Sequence, residues 1–343
     1  MYRYIIRPVL FLFSPESVHH FIVIIIKIAF RLPGISTLIE KFFNVKHPGL
    51  QREFMGLKFE NPVGLAAGFD KNGTFFNEFS SFGFSFIEVG TITPKGQPGN
   101  PKPRSFRLTK DRALINRMGF NNIGVQEAIK NLKRRKQGLI IGGNIGKNTL
   151  TPNEKAVEDY EYCFRELYNY VDYFVVNVSC PNITDLSELQ DQDALEKILG
   201  RLVTIRKKQS VYRPVLLKIS PDLNNKQLDQ VIDIHFKIGI DGIVATNTTI
   251  QRNGLKTDRE KVRKIGNGGL SGRPLTERSA EVIRYIHAKS DGKIPVIGVG
   301  GIMTVEDAVE KLKAGATLIQ VYSGFIYNGP GFVKKINKAL LEI

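Results

Sequence analysis

The segment Asn177-Val-Ser-Cys-Pro-Asn182 sets one thiol between two carboxamides. A lone cysteine is ordinarily a small buried apolar side chain, but the adjoining Pro181-Asn182 and a position just past an apolar run point to chemistry. With an unperturbed pKa near about 8.5, a thiol becomes an anion far more readily than a hydroxyl. Seven other short polar clusters stand at comparable places: Ala67-Gly-Phe-Asp-Lys71, Gly90-Thr91, Asn144-Ile-Gly-Lys147, Lys218-Ile-Ser-Pro221, Thr246-Asn-Thr-Thr249, Gly298-Val-Gly-Gly301 and Tyr322-Ser-Gly324. Singly, each could be a turn former. Jointly they offer backbone N–H groups, amides and lysines. Metal chemistry has no ligands to stand on, because the two cysteines (Cys163, Cys180) and five histidines form no CxxC and no HExxH.

Each cluster closes a short apolar run, and charged, helix-like stretches separate the runs. The eight are Pro62 to Ala67, Phe84 to Val89, Leu139 to Asn144, Tyr173 to Val178, Val215 to Ile219, Gly242 to Thr246, Pro295 to Val299 and Thr317 to Tyr322. Such alternation predicts a (β/α)8 TIM barrel, an α/β fold. Asn61 to Ser323 spans 263 residues, against roughly 250 for such barrels. A doubly wound sheet is the competing architecture, but no early GxGxxG turn is followed by an acidic residue at the required spacing. In a barrel the strand ends share one mouth, so the polar clusters converge. The glycines after the seventh and eighth runs are where barrels hold a phosphate, which predicts a phosphorylated ligand, most simply FMN. Gly142-Gly-Asn-Ile-Gly-Lys147 is not a P-loop, since Ile141 stands at the required first glycine and Asn148 at the final Ser/Thr.

About 60 residues precede the barrel. Ser14-Pro15 is an N-cap with a first-turn proline and Pro33-Gly34 a stop, so Pro15 to Leu32 reads as one helix. Glu16, His20, Lys27 and Arg31 form a narrow polar stripe on an otherwise Phe/Ile/Val surface. Such a helix either packs on its own protein or lies on a membrane surface. Arg7, Pro8 and Lys27 interrupt the apolar runs, which fall short of the roughly 20 residues that span a bilayer. The net charge of +16 asks for anionic partners: a phosphate cofactor, an acidic substrate, a nucleic acid or a membrane.

Several ordered segments resemble the dihydroorotate dehydrogenase family. They are Asn61 to Lys71, Gly99 to Leu108, Ile115 to Asn121, Asn144 to Asn148, Asn177 to Asn182, Ala245 to Thr249, Gly268 to Pro274 and Ile297 to Gly301, and the likeness runs over nearly the whole chain. The preface and Pro15-Glu-Ser-Val-His19 are similar to the membrane-associated, quinone-linked class, whose added helices form an apolar tunnel to the flavin. The resemblance implies a helical extension over 1–45 and a catalytic FMN barrel over 46–343.

It also implies oxidation of dihydroorotate to orotate, with a proton taken from C5 and a hydride passed from C6 to the flavin. By motif position the base is Cys180, and Lys71, Asn116, Asn177, Asn182, Asn247 and Thr248 hold the substrate. FMN contacts fall on Ala66, Ala67, Gly68, Thr91, Asn144, Lys218, Thr246, Ser271, Gly272, Gly300, Gly301, Tyr322 and Ser323, with Lys218 placed to stabilise negative charge on the reduced ring. His19 and Arg107 match positions that face the quinone. Cys180 departs from the quinone-linked pattern, which has serine there; Ile183 to Ser187 departs from the usual covering loop. The acceptor is therefore read as quinone from the preface, with fumarate, or NAD through a partner, as the alternative. A transfer-RNA dihydrouridine synthase shares the Cys-Pro pair but carries a helical RNA-binding domain after the barrel, for which the 20 residues beyond Ser323 leave no room. The expected partners reduce to substrate, membrane quinone and an anionic membrane surface, with neither nucleic acid nor an obligate protein, which places the protein peripherally at the cytoplasmic face of the membrane.

Overall fold

A computed structural model describes residues 1–178 and 192–342. Eight parallel strands close into a barrel in strict chain order: β1 Val63–Leu65, β2 Phe86–Ile92, β3 Ile140–Ile145, β4 Tyr173–Asn177, β5 Val215–Ile219, β6 Gly242–Ala245, β7 Val296–Val299 and β8 Leu318–Val321. Every one of the eight expected runs is a strand. β4 and β5 are buried along their whole length, as parallel strands covered on both faces must be, which is why they read as continuous apolar runs rather than alternating ones.

The barrel's N-terminal end is stoppered by a hairpin, Arg52–Phe54 paired with Leu57–Phe59. Its two-residue turn, Met55-Gly56, has positive φ at both positions (54° and 75°), the twist that suits a tight hairpin. Phe54 and Phe59 pack there with Phe86, Tyr173, Leu216 and Leu318. The open end is therefore the C-terminal one. Beside it lies an antiparallel sheet of Ser105–Leu108, Ala113–Asn116 and Gly269–Gly272, an element the eight-run reading did not contain.

Before the barrel come α1 (Arg7–Phe11), α2 (Pro15–Ala29) and α3 (Ile35–Phe43). Ser14 Oγ accepts from Ser17 N at 3.2 Å, the expected cap of α2, and the helix ends three residues before Leu32. Both offered destinations for its broad apolar surface have a face: Val23, Ile26 and Phe30 pack against the barrel core, while Phe21, Ile24, Ile25 and Ile28 are exposed. Among the described residues, no helix is long and apolar enough to cross a membrane. Glu16 of the polar stripe turns inward to Arg104 instead of lying along a solvent face.

Candidate active site

The strand ends enclose a cavity with an empty volume of about 1180 Å³. After β1, Ala66, Ala67, Gly68 and Lys71 line it; Thr91, Asn177 and Lys218 come from β2, β4 and β5. Thr246, Asn247 and Thr248 follow β6, Gly300 and Gly301 follow β7, and Tyr322 and Ser323 follow β8. The side sheet adds Asn116, Ser271 and Gly272. Cys180 and Asn182 lie outside the described residues, as does Ile183 to Ser187. Asn144 does not line the cavity: it is fully buried behind the wall, with its amide engaged by protein groups.

Those groups form one continuous network. Asn144 Nδ2 donates to Glu88 Oε1 at 2.8 Å, and Asn144 Oδ1 accepts from Thr91 Oγ1 at 2.6 Å. Asn177 Nδ2 donates to Thr91 Oγ1 at 2.9 Å, and Asn247 Nδ2 to Asn177 Oδ1 at 3.3 Å. Gln320 Nε2 donates to the other Glu88 oxygen at 2.6 Å, and Lys218 Nζ stands 3.6 Å from Glu88. A wholly buried carboxylate is tolerable because three partners surround it, one a cation. The network fixes which face each amide shows the cavity. Glu88 and Gln320 were missed by the sequence reading, although each sets a long polar side chain among the apolar residues of its run, a signal that could have found them.

The turn after β7 is shaped for an anion. Ser279 Oγ donates to Gly300 O at 2.8 Å and Thr276 Oγ1 to Gly301 O at 2.6 Å. In a trans peptide the N–H points opposite to the preceding C=O, so carbonyls held from behind turn the N–H groups of Gly301 and Ile302 toward the mouth. A side chain at Gly301 would bring its Cβ to 2.2 Å from Thr276 N, and φ there is +72°, so only glycine lets the turn sit this close. Ser271 Oγ and Ser323 Oγ lie 2.9 Å apart beside it. On the opposite side, Lys71 Nζ donates to Asn121 Oδ1 at 2.6 Å, which steadies the ammonium.

A second cavity, of about 1840 Å³, lies between α1–α2 and the barrel. Its lining is mostly apolar: Leu10, Phe11, Ile22, Val23, Phe75, Phe79 and Phe325 among others, with His19 and Arg107 both in it. Burial, followed by the charges of His20 and Lys71, drives the His19 pKa down to about 4, so its imidazole is neutral at physiological pH. Its ring meets Phe69 and Phe75 edge-on, at 5.1 and 5.6 Å. The Arg107 guanidinium stacks over Phe11 at 4.5 Å and donates to Phe13 O. Gly68, Lys71, Ser105, Leu114, Met118 and Tyr322 border both cavities, so the two are neighbours through a single wall. Burial lifts the Tyr322 hydroxyl to about 12, leaving it a neutral part of that wall.

The dihydroorotate dehydrogenase family profile matches residues 49–343. A protein of Christiangramia forsetii named dihydroorotate dehydrogenase (quinone) is 54% identical over 342 residues, covering 100% of this chain and 99% of its own. One of the same name from Idiomarina loihiensis is 45% identical over 97% of this chain and 98% of its own. Among solved structures, ligand-free DHODH from Eimeria tenella superposes with a TM-score of 0.86 at 35% identity, covering 96% of this chain and 95% of that one. The Eimeria tenella enzyme in complex with ferulenol gives 0.84 at 34%, covering 96% and 91%.

Proposed function

The chain belongs to the dihydroorotate dehydrogenase family, and from that premise we propose how its adjoining cavities divide the work: the barrel mouth takes FMN and dihydroorotate, and the cavity beneath α2 takes the quinone. The protein oxidises dihydroorotate to orotate in pyrimidine biosynthesis, with a quinone as electron acceptor. The shared wall carries the division, since a polar substrate and an apolar acceptor can each reach the same place without mixing.

FMN suits the residues present. The N–H groups of Gly301 and Ile302 with the hydroxyls of Ser271 and Ser323 would hold its phosphate; Ala66, Ala67, Gly68, Thr91, Thr246, Gly272, Gly300 and Tyr322 would border the rest, with Asn144 acting from behind through Thr91. When bound, FMN would supply the acceptor for the hydride that leaves C6 of dihydroorotate. Lys218 supplies a buried cation for the electron-rich ring, and Glu88 at 3.6 Å moderates it. Lys71 pairs with the substrate carboxylate, while Asn116, Asn177, Asn182, Asn247 and Thr248 hold the ring amides. Cys180 takes the C5 proton as thiolate.

In the second cavity Arg107 and neutral His19 offer the hydrogen bonds a quinone carbonyl accepts. Residues 1–45 then form the acceptor passage and 46–343 the catalytic barrel. The exposed apolar faces of α2 and α3, flanked by Lys27, Arg31, Lys41 and Lys46, suit an anionic membrane surface, with the protein peripheral at the cytoplasmic face. The scheme calls for no nucleic acid and no obligate protein partner. Steady-state turnover of the full-length protein tests it: dihydroorotate should drive reduction of a short-chain quinone, and Arg107→Ala should raise the quinone KM while flavin reduction by dihydroorotate is unchanged. Efficient fumarate turnover with indifference to quinone overturns the assignment.

A further inference from the structure

The turn Gly300-Gly301 rests on the first residue of the helix Thr276–Lys289, and that residue rests on a lysine. Thr276 Oγ1 donates to Gly301 O at 2.6 Å; Lys311 Nζ, from the helix Val305–Lys313, donates to Thr276 O at 2.6 Å. Lys311 is only 1% exposed. An ammonium so placed needs compensating negative charge. The nearby carboxylates are engaged elsewhere: Asp307 caps its own helix, accepting from Met303 N and Thr304 N at 2.8 Å each, and Glu310 pairs with Arg284. Arg284, on the same helix as Thr276, adds repulsion, and Gly298 of β7 lies against the lysine stem. Lys311 forms no ion pair among the described residues. What lies beyond Thr276 is the turn built for an anion.

We propose that Lys311 is a positioning residue for the FMN phosphate: through Thr276 it sets the Gly300-Gly301 turn, and its buried charge favours a dianion on the far side of that turn. The inference rests on the reading of the mouth as an FMN site. Burial first, with Arg284 adding to it and Asp307 and Glu310 opposing, brings the ammonium down to about 8 before any anion is bound. A bound dianion raises it again, so flavin affinity is full while the free protein keeps the proton and falls as pH climbs past about 8.

The test is flavin binding by fluorescence quenching to the full-length protein stripped of flavin, with FMN and with riboflavin, which lacks the phosphate. Lys311→Met should weaken FMN about tenfold and leave riboflavin unchanged, and Lys311→Arg, keeping the charge, should recover most of the loss. Wild-type FMN affinity should fall between pH 8 and 9.5, a trend absent for riboflavin. Equal losses for both flavins, or an FMN affinity flat with pH, overturns the proposal. Should Lys311→Met fail to fold, the wild-type pH profile decides alone. A wild-type chain that binds neither flavin overturns the cofactor reading itself, and the proposal with it.

Discussion

Glu16 on α2 and Arg104 beside the mouth are joined by two hydrogen bonds, Nη2 to Oε1 at 2.8 Å and Nε to Oε2 at 3.2 Å. Neither side chain is more than 13% exposed. Arg104 Nη1 also donates to the carbonyls of Pro98 and Asn100, at 2.6 and 3.0 Å. The pair therefore ties the helix that roofs the apolar cavity to the loop that leads into the side sheet.

Breaking that tie should loosen the roof. Burial alone would raise the Glu16 carboxyl, but the hydrogen bond and charge of Arg104, with Lys102 behind, hold it below the usual range. A lowered carboxyl contributes stability that is complete above its unfolded pKa and is lost only as pH falls through the folded one, so the tie holds throughout pH 5 to 8. Glu16→Ala leaves a nearly buried guanidinium without its partner, a loss of about 2 kcal/mol, between exposed and fully buried pairs. The expected outcome is a lower Tm and a higher KM for quinone with an unchanged KM for dihydroorotate.

His19 should be silent where histidines usually titrate. With its pKa at about 4, quinone reduction should show no inflection near pH 6.5, and one traceable to His19 only below about pH 5. The sign for stability agrees: the unfolded histidine takes up a proton from about pH 6.5 downward while the folded one resists, so folding weakens as pH falls through that window. A quinone KM that rises between pH 7 and 6 in wild type and is flat in His19→Phe would show the imidazole to be far more exposed than its packing against Phe69 and Phe75 implies.

Glu88→Gln tests the network under the mouth. Glu88 accepts from Asn144 and Gln320 with its two oxygens, whereas a glutamine must turn its amide N–H₂ on one of those donors. Lys218 loses its carboxylate as well. About 2–4 kcal/mol of stability should go, as for other broken buried pairs. A positive shift in the bound flavin's reduction potential should accompany the drop in Tm, because Lys218 then acts without its counter-charge. An unchanged potential would mean that Lys218 does not face the flavin.

The barrel was legible because buried parallel strands leave short, recurrent apolar runs, and the mouth because Gly300, Gly301 and their counterparts interrupt them at the same end. The side sheet was not, since Gly269–Gly272 pairs with Ala113–Asn116 from far along the chain, and no local period records such pairing. Glu16 hid for a related reason: at helical spacing it belongs with His20 and Lys27, and only the distant Arg104 draws it inward. Asn144 was expected by motif as a cofactor contact, whereas its buried place behind Thr91 depends on Glu88, which sits one strand away.

Cys180 is the proposed base, and its departure from the serine of the quinone-linked pattern has a measurable consequence. A thiol with an unperturbed pKa near about 8.5 needs far less assistance to become a base than a hydroxyl does. Cys180→Ala should therefore slow flavin reduction by dihydroorotate about 10²–10⁴-fold, the range for loss of a general base, while FMN stays bound. Cys180→Ser should be slower than wild type and should need higher pH to reach its maximum. The acceptor half-reaction should be untouched in both, because Cys180 is proposed to act on C5 of the substrate and the quinone is proposed to reach the site from beneath α2. Single-turnover measurements separate the halves: if Cys180→Ala leaves flavin reduction at the wild-type rate, the proton is taken by another group and the assignment of the base is wrong.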